Sequence, residues 1–328
     1  MRMESGSADA KGRVGFAEPT RARLSNPLLR YFLATRPMFL TVTLVAWAVG
    51  LAAAIGSGSG PSPSLAAATL VLALLAHAGV NVLNDYYDAL NGTDAINTER
   101  IFPYTGGSRF IQNGVLSAPE TARFGALLLG TVIAAGSVLA WVSGPGVWAM
   151  GLAGLFLGWA YSAPPFKLNS RGLGELCVAA GFGLIVVGTD YVQRAAFSAT
   201  AAVAAVSYAL LVASVLYINQ FPDRSADAVA GKRHWVVRLS PAWAGWGYVL
   251  IGLWAYLWLA GAVAVGLLPS WALLGLAAAP LTALAGRDAV RHAHEPGRLR
   301  PAIERTLAAA SLHGVLLAGG LVLERLPG

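Results

Sequence analysis

Two short stretches carry residue types that can do chemistry. Residues 84–94, NDYYDALNGTD, hold Asn84, Asp85, Asp88 and Asp94. Residues 219–239, NQFPDRSADAVAGKRHWVVRL, hold Asn219, Asp223 and Asp227. Asn84 and Asp88 are four apart, as are Asn219, Asp223 and Asp227, so on a helix each set shares one face. The donors are oxygens, which suit Mg²⁺ rather than Zn²⁺. Mg²⁺ usually keeps waters and bridges a few carboxylates to phosphate. Two such clusters facing each other suggest metal ions around one diphosphate. Cations lie nearby in sequence: Arg109, Lys167, Lys232 and Arg233.

The elements that must position these residues are apolar. Of 328 residues, 56% are hydrophobic and only 12% charged, about half the charge of a soluble domain. Nine apolar segments are expected to span a membrane as helices: 30–56, 65–91, 119–142, 146–162, 172–193, 199–220, 242–267, 271–286 and 304–323. The fold class is therefore all-α, a polytopic membrane protein. Residues 1–25 read as a mobile cytoplasmic tail, followed by a single transmembrane domain over 26–328. With the N-terminus in the cytoplasm, every Lys and Arg except Arg194 and Arg325 falls on that side. This bias supports an odd number of spans and a multi-pass protein of the cell (inner) membrane.

Both aspartate stretches then end their helices, the second and the sixth, at the cytoplasmic face. They resemble an internal parallel repeat. Pro222 is expected to kink the sixth helix. Carboxylates at the edge of a membrane bundle are costly unless paired, hydrated or functional. A Mg-diphosphate site beside an apolar bundle suits a lipid diphosphate as partner. Metal and lysines would stabilise charge on a leaving diphosphate, and the apolar cavity would keep water from an allylic carbocation. No nucleic-acid motif occurs, so no nucleic-acid partner is expected. Cys177 is the lone cysteine, which excludes an internal disulfide. His234 is expected to be an exposed loop residue.

These residues resemble the two aspartate motifs of the UbiA superfamily of intramembrane aromatic prenyltransferases. The second motif, with its Ala-Gly-Lys-Arg and Val-Val-Arg-Leu continuation, is most similar to the 1,4-dihydroxy-2-naphthoate polyprenyltransferase branch of menaquinone synthesis. Residues 105–117, TGGSRFIQNGVLS, and 161–175, YSAPPFKLNSRGLGE, resemble loops of that branch. The resemblance implies helices around a central cavity, Mg²⁺ as cofactor, and a polyprenyl diphosphate and an aromatic acceptor as partners. It makes Asn84, Asp88, Asn219, Asp223 and Asp227 metal–diphosphate residues, with Asp85 and Asp94 added from this branch's form of the first motif. Asp88, Asp223, Asp227 and Lys167 are the expected catalytic set, and Arg109 and Lys232 the further diphosphate contacts. The branch commonly has Thr where His234 stands and Gly where Ser240 stands, which leaves the acceptor open. Hydroxybenzoate, homogentisate, haem, chlorophyllide or a glycerophosphate lipid are the alternatives within the chemistry. A cation-coupled secondary transporter is the alternative outside it.

Overall fold

The structure is a computed structural model and describes residues 17–325. Twelve α-helices follow one another: α1 Pro27–Ala34, α2 Pro37–Gly56, α3 Pro63–Asn91, α4 Thr93–Ile96, α5 Ala118–Ser143, α6 Pro145–Ser162, α7 Gly174–Arg194, α8 Ala199–Val229, α9 Trp235–Arg238, α10 Pro241–Ala264, α11 Ala279–Arg291 and α12 Arg300–Leu323. No strand occurs among the described residues.

Eight helical segments among the described residues are long and apolar enough to cross a membrane. They match eight of the nine predicted spans. One runs over Ser270–Arg291, a 3-10 stretch continued by α11. The remaining predicted span is α6, an 18-residue helix whose four glycines, two tryptophans, Tyr161 and Ser162 dilute its apolar character. It stands in the bundle against α3, α5 and α7. The sixth predicted span is longer than its apolar run. α8 continues through Pro222 to Val229, so the helix carries Asp223 and Asp227 on regular turns beyond the apolar segment.

The helix starts have local causes. Asn26, Ser62, Ser117, Ser198 and Ser240 each accept a first-turn N–H through their side chains, satisfying donors that a helix start leaves open. Proline occupies the first turn of α2, α3, α5, α6 and α10, where its missing N–H costs nothing. Small residues fill the helix crossings: Ala46, Ala204, Ala205, Ala310 and Ala272 are all fully or nearly fully buried. In lipid, such close contact supplies packing that apolar burial alone does not. Several polar groups inside the bundle are paired, as in Tyr208 Oη donating to the Val42 carbonyl at 2.6 Å and Ser207 Oγ meeting His313 Nε2 at 3.0 Å.

Of the predicted tail, residues 1–16 lie outside the described residues. Glu18 lies against the loop that follows α4. It pairs with Arg100 at 2.6 Å and Arg109 at 3.7 Å, and accepts from Asn113 at 3.1 Å. These contacts and burial of Leu24 tie the segment to the loop that closes the site.

Candidate active site

The two aspartate stretches meet at the mouth of one cavity. Asn84 and Asp88 lie one turn apart on α3, as the spacing requires. Asn84 Nδ2 donates to Asp88 Oδ2 at 3.2 Å and to Ser162 Oγ of α6 at 3.0 Å. Asn91 Nδ2 donates to the other Asp88 oxygen at 3.2 Å. Asn219, Asp223 and Asp227 line the same cavity from α8, on successive turns.

Lys232 joins the halves. Its Nζ lies 2.9 Å from Asp88 Oδ1 and 3.0 Å from Asp227 Oδ1. The Ala-Gly-Lys sequence explains how it gets there. α8 ends with Ala230 as its cap, and Gly231 takes φ +79°, a left-handed conformation that glycine adopts without steric cost. The Gly231 N–H bonds to Ala228 O at 3.2 Å and the Lys232 N–H to Asp227 O at 2.8 Å. This paired closure turns the chain back over its own last turn. Lys232 is thereby buried among carboxylates, which is tolerable only because it is paired. Burial works against the ammonium, but Asp88 and Asp227 outweigh it and hold its pKa above the ordinary lysine range.

The loop after α4 makes a second joint. Asn97 Nδ2 donates to Asp223 Oδ1 at 2.5 Å, and the Gly106 N–H to Asp223 Oδ2 at 3.4 Å. The Ser108 N–H donates to Asp85 Oδ1 at 3.1 Å. Asp94 is buried on the short α4, and Gln112 donates to it at 3.5 Å. Burial first, then the charges of Asp88 and Asp85, push the Asp94 carboxyl well above the usual carboxylate range. Between these acids runs Gly107, with φ +70°. A Cβ there would fall 2.3 Å from Asp94 Oδ2 and 3.1 Å from Asp85 Oδ1. Gly107→Ala is therefore expected to displace the loop from Asp94 and lower kcat/KM for prenyl transfer by about tenfold or more, since small misplacements in a site cost heavily. Wild-type kinetics in that variant would show that the loop's approach to the acids is not needed.

Three expected site residues take other places. Asp85 is buried and bonded to the loop, and is not among the residues lining the cavity. Arg109 is buried with φ +66°, donates to the Asp94 carbonyl and pairs with Glu18; it braces the loop from behind and does not line the cavity. Burial and the neighbouring Arg100 lower its pKa. Lys167 is exposed at a left-handed position, φ +44°, and is also outside the lining. The buried ammonium between the two clusters belongs to Lys232.

His234 corrects the expectation of an exposed loop residue. It is 2% exposed and its Nε2 lies 2.9 Å from Asp227 Oδ2. The turn at Gly231 that buries Lys232 also carries His234 inward, and α9 begins immediately after it. Asn97, Asn91 and Ser162 are further residues that the sequence reading did not single out. For the loop, the resemblance over 105–117 was joined by the Gly-Gly pair at 106–107, which suggests close backbone approach.

Oxygen donors dominate the site, and Asn219 Oδ1 is buried without a partner. Among the described residues, no three His, Cys, Asp or Glu side chains already converge as a closed metal cage. The carboxylate and amide oxygens are of the kind that suits Mg²⁺, which binds through one or two carboxylates and completes its shell with water and phosphate. Asp88, Asp223, Asp227 and Asn219 face the space where such ions would sit.

The cavity, mouth included, has a volume of about 490 Å³, and behind the mouth its walls are largely apolar. Leu72, Ala76, Leu155, Phe182, Ile185 and Val212 are among its walls. Ile133 of α5 and Trp148 and Leu152 of α6 also line it, and all three are exposed. Polar groups line it as well, among them Thr69, Ser137, Thr189 and His77; His77 stands two turns before Asn84 with Nδ1 2.7 Å from Thr43 Oγ1.

Comparisons with known proteins agree with this architecture. The chain is 34% identical over 262 residues to the 1,4-dihydroxy-2-naphthoate octaprenyltransferase of Mycobacterium tuberculosis, covering 78% of this chain and 85% of that one. It is 30% identical over 265 residues to the enzyme of the same name from Escherichia coli, covering 78% and 83%. A UbiA homolog from Archaeoglobus fulgidus, solved bound to GPP and Mg²⁺, superposes with a TM-score of 0.58 at 15% identity, covering 88% of this chain and 99% of that one. A UbiA homolog from Aeropyrum pernix K1, solved in its apo form, gives 0.61 at 18% identity, covering 87% and 98%. Residues 43–299 match the UbiA prenyltransferase family along most of the bundle. The chain therefore belongs to the UbiA prenyltransferase family and is a prenyltransferase built of membrane helices.

Proposed function

We propose that the protein transfers a polyprenyl group from a polyprenyl diphosphate to 1,4-dihydroxy-2-naphthoate, with Mg²⁺ as cofactor, in quinone biosynthesis. The observation that carries this reading is the Lys232 bridge between the two aspartate helices, at the mouth of an apolar cavity. An anionic head and a long apolar tail are the two halves of a prenyl diphosphate, and the site offers one environment for each. The naphthoate acceptor is supported by the relatives of that name at 30–34% identity. The basic residues flanking the site support a location at the cytoplasmic face of the cell (inner) membrane.

When bound at Asp88, Asp223, Asp227 and Asn219, Mg²⁺ would supply positive charge against the diphosphate oxygens. The chain's own residues do the rest. Lys232 adds an ammonium whose charge is fixed before substrate arrives, so it stabilises the departing diphosphate without reorganising. Asn97, the Gly106 N–H and His234 hold Asp223 and Asp227 in place. The apolar walls seat the prenyl chain and exclude water from its allylic carbon once the C–O bond loosens. Aromatic faces such as Phe182, Trp148 and Tyr161 line the same space and favour a cation there. The ring carbon of the acceptor then bonds the allylic carbon. Diphosphate departs, and the ring carboxylate leaves as CO₂ with its electron pair returning to the ring.

The test is turnover by purified protein in nanodiscs given a polyprenyl diphosphate and dihydroxynaphthoate. Prenylated naphthoquinol and diphosphate are expected in equal amounts, and chelating the Mg²⁺ is expected to abolish both. Turnover that prefers hydroxybenzoate or homogentisate would overturn the acceptor. Metal-dependent cation uptake into proteoliposomes with no diphosphate release would overturn the reaction.

A further inference from the structure

The polar stripe of α3 does not stop at the mouth of the cavity. His77, Asn81, Asn84 and Asp88 follow one another at steps of four, three and four, so they share one helical face, and all four line the cavity. At a rise of about 1.5 Å per residue, Asn81 stands about 4.5 Å and His77 about 10 Å further in than Asn84. Asn84 and Asp88 belong to the proposed metal–diphosphate site. Asn81 and His77 have no part in it.

Hydrogen bonds behind the wall fix what each of these two presents. Thr43 of α2 is fully buried, and among the described residues its hydroxyl meets only His77 Nδ1, at 2.7 Å. Thr69 and Thr189 give their hydroxyl protons to the carbonyl one turn back, at 2.7 and 2.8 Å; Thr43 does not. Nδ1 is thus the acceptor for the Thr43 proton, which assigns the imidazole's own proton to Nε2. The Phe182 ring steadies the imidazole, with centroids 5.3 Å apart and planes at 88°. In Asn81, Nδ2 donates to the Thr35 carbonyl at 3.0 Å, which leaves Oδ1 as a free acceptor. Among the described residues, neither His77 Nε2 nor Asn81 Oδ1 has a hydrogen-bond partner. Neither atom is sealed by its surroundings, because both side chains are half-buried and line the cavity.

The cavity wall therefore offers one donor and one acceptor, a single helical turn apart, in otherwise largely apolar surroundings. A prenyl chain laid against them would leave both unpaired. The diphosphate is held at the mouth and supplies acceptors only. A hydroxylated aromatic ring carries both complements: an O–H for Asn81 Oδ1 and oxygen lone pairs for His77 Nε2–H. We propose that His77 and Asn81 bind the ring oxygens of the aromatic acceptor and so determine which acceptor is used. This rests on the proposed function above and extends it to residues outside both aspartate motifs. The allylic carbon attached to the diphosphate lies just inside the mouth, so a ring anchored one to two turns further in can turn a carbon towards it. A site built to bond a substrate hydroxyl also rejects analogues that lack it, because its own polar groups are then left unpaired.

The experiment measures equilibrium binding of dihydroxynaphthoate in nanodiscs, with Mg²⁺ and a non-reactive prenyl thiolodiphosphate present, beside two hydroxynaphthoates that each lack one of its ring hydroxyls. Wild type is expected to bind at least one of the two about tenfold more weakly, the size of one hydrogen bond. His77→Phe keeps a ring against Phe182 and removes Nε2–H; Asn81→Leu removes Oδ1. Each is expected to weaken dihydroxynaphthoate about tenfold, while the Kd of the thiolodiphosphate stays within about twofold. Discrimination between the naphthoates should collapse to within about twofold in at least one of the variants. The analogue and the variant together isolate the hydroxyl contact as a double-mutant cycle does. A wild type that binds all three naphthoates alike overturns the inference. So does discrimination left unchanged in both variants, or a loss confined to the thiolodiphosphate. Should one variant fail to fold, the other decides by the same ratio. If wild type neither binds nor turns over dihydroxynaphthoate, the proposed acceptor falls. The comparison then moves to whichever acceptor is used, and an acceptor with no ring hydroxyl overturns the inference too.

Discussion

Asp223→Asn is expected to lower diphosphate release by about 10²- to 10³-fold, the scale of losing one preorganised charge at a reacting centre. Asparagine keeps the shape and retains an oxygen for the bond from Asn97. What disappears is the negative charge that the proposal assigns to metal binding. The measurement is release of diphosphate under saturating acceptor, with retention of the fold checked by thermal melting. Activity within a few-fold of wild type would remove Asp223 from the metal–diphosphate site. Asp88→Asn is expected to behave alike, because Asp88 occupies the matching turn on α3.

Lys232→Met is expected to have the largest effect on stability. The ammonium is buried between Asp88 and Asp227 at 2.9 and 3.0 Å. Removing one partner of a buried ion pair strands the other charge and costs about 3–5 kcal/mol. Here two carboxylates would be stranded, although partial opening of the site to water would soften the loss. The melting temperature in detergent is expected to fall without metal. Added Mg²⁺ should then raise it more in the variant than in wild type, because the ion meets carboxylates no longer neutralised by lysine. Binding to the folded form stabilises by mass action. Equal Mg²⁺ response in both proteins would show that the lysine and the ion do not answer the same charge. Turnover should also fall sharply, since the diphosphate loses its fixed cation.

Much of this arrangement was legible in the sequence, and the reasons are local. Asn84–Asp88 and Asn219–Asp223–Asp227 announce themselves because a four-residue step keeps them on one helical face. The long apolar runs give the spans, and the distribution of lysine and arginine puts both motifs at one end. α6 was legible as an uncharged stretch even though its glycines and tryptophans weaken its apolar signal. Lys232 could be suspected from its distance to the second motif. What turns it inward is the left-handed Gly231, and that turn places His234 against Asp227 as well. The burial of His234 depends on this closure and on α9 packing beside α8, neither of which has a sequence period.

The loop residues were less legible for another reason. Asn97 reaches Asp223 across 126 positions of chain, so no local pattern could connect them. Arg109 was visible as a cation in a loop, but its contacts to Asp94 and Glu18 make it a brace. Lys167 was visible in the same way and stands exposed, away from the cavity lining. Charge near a motif thus gave candidates, while geometry selected among them.

The central claim is that the two aspartate helices form a single metal–diphosphate site. Equilibrium binding of a non-reactive prenyl thiolodiphosphate to wild type, Asp88→Asn, Asp223→Asn and the double variant tests it most directly. The account predicts Mg²⁺-dependent binding that either single variant weakens about as much as the double variant does, since groups that act as a unit are not additive. Independent, additive losses, or binding that persists unchanged without Mg²⁺, would contradict it.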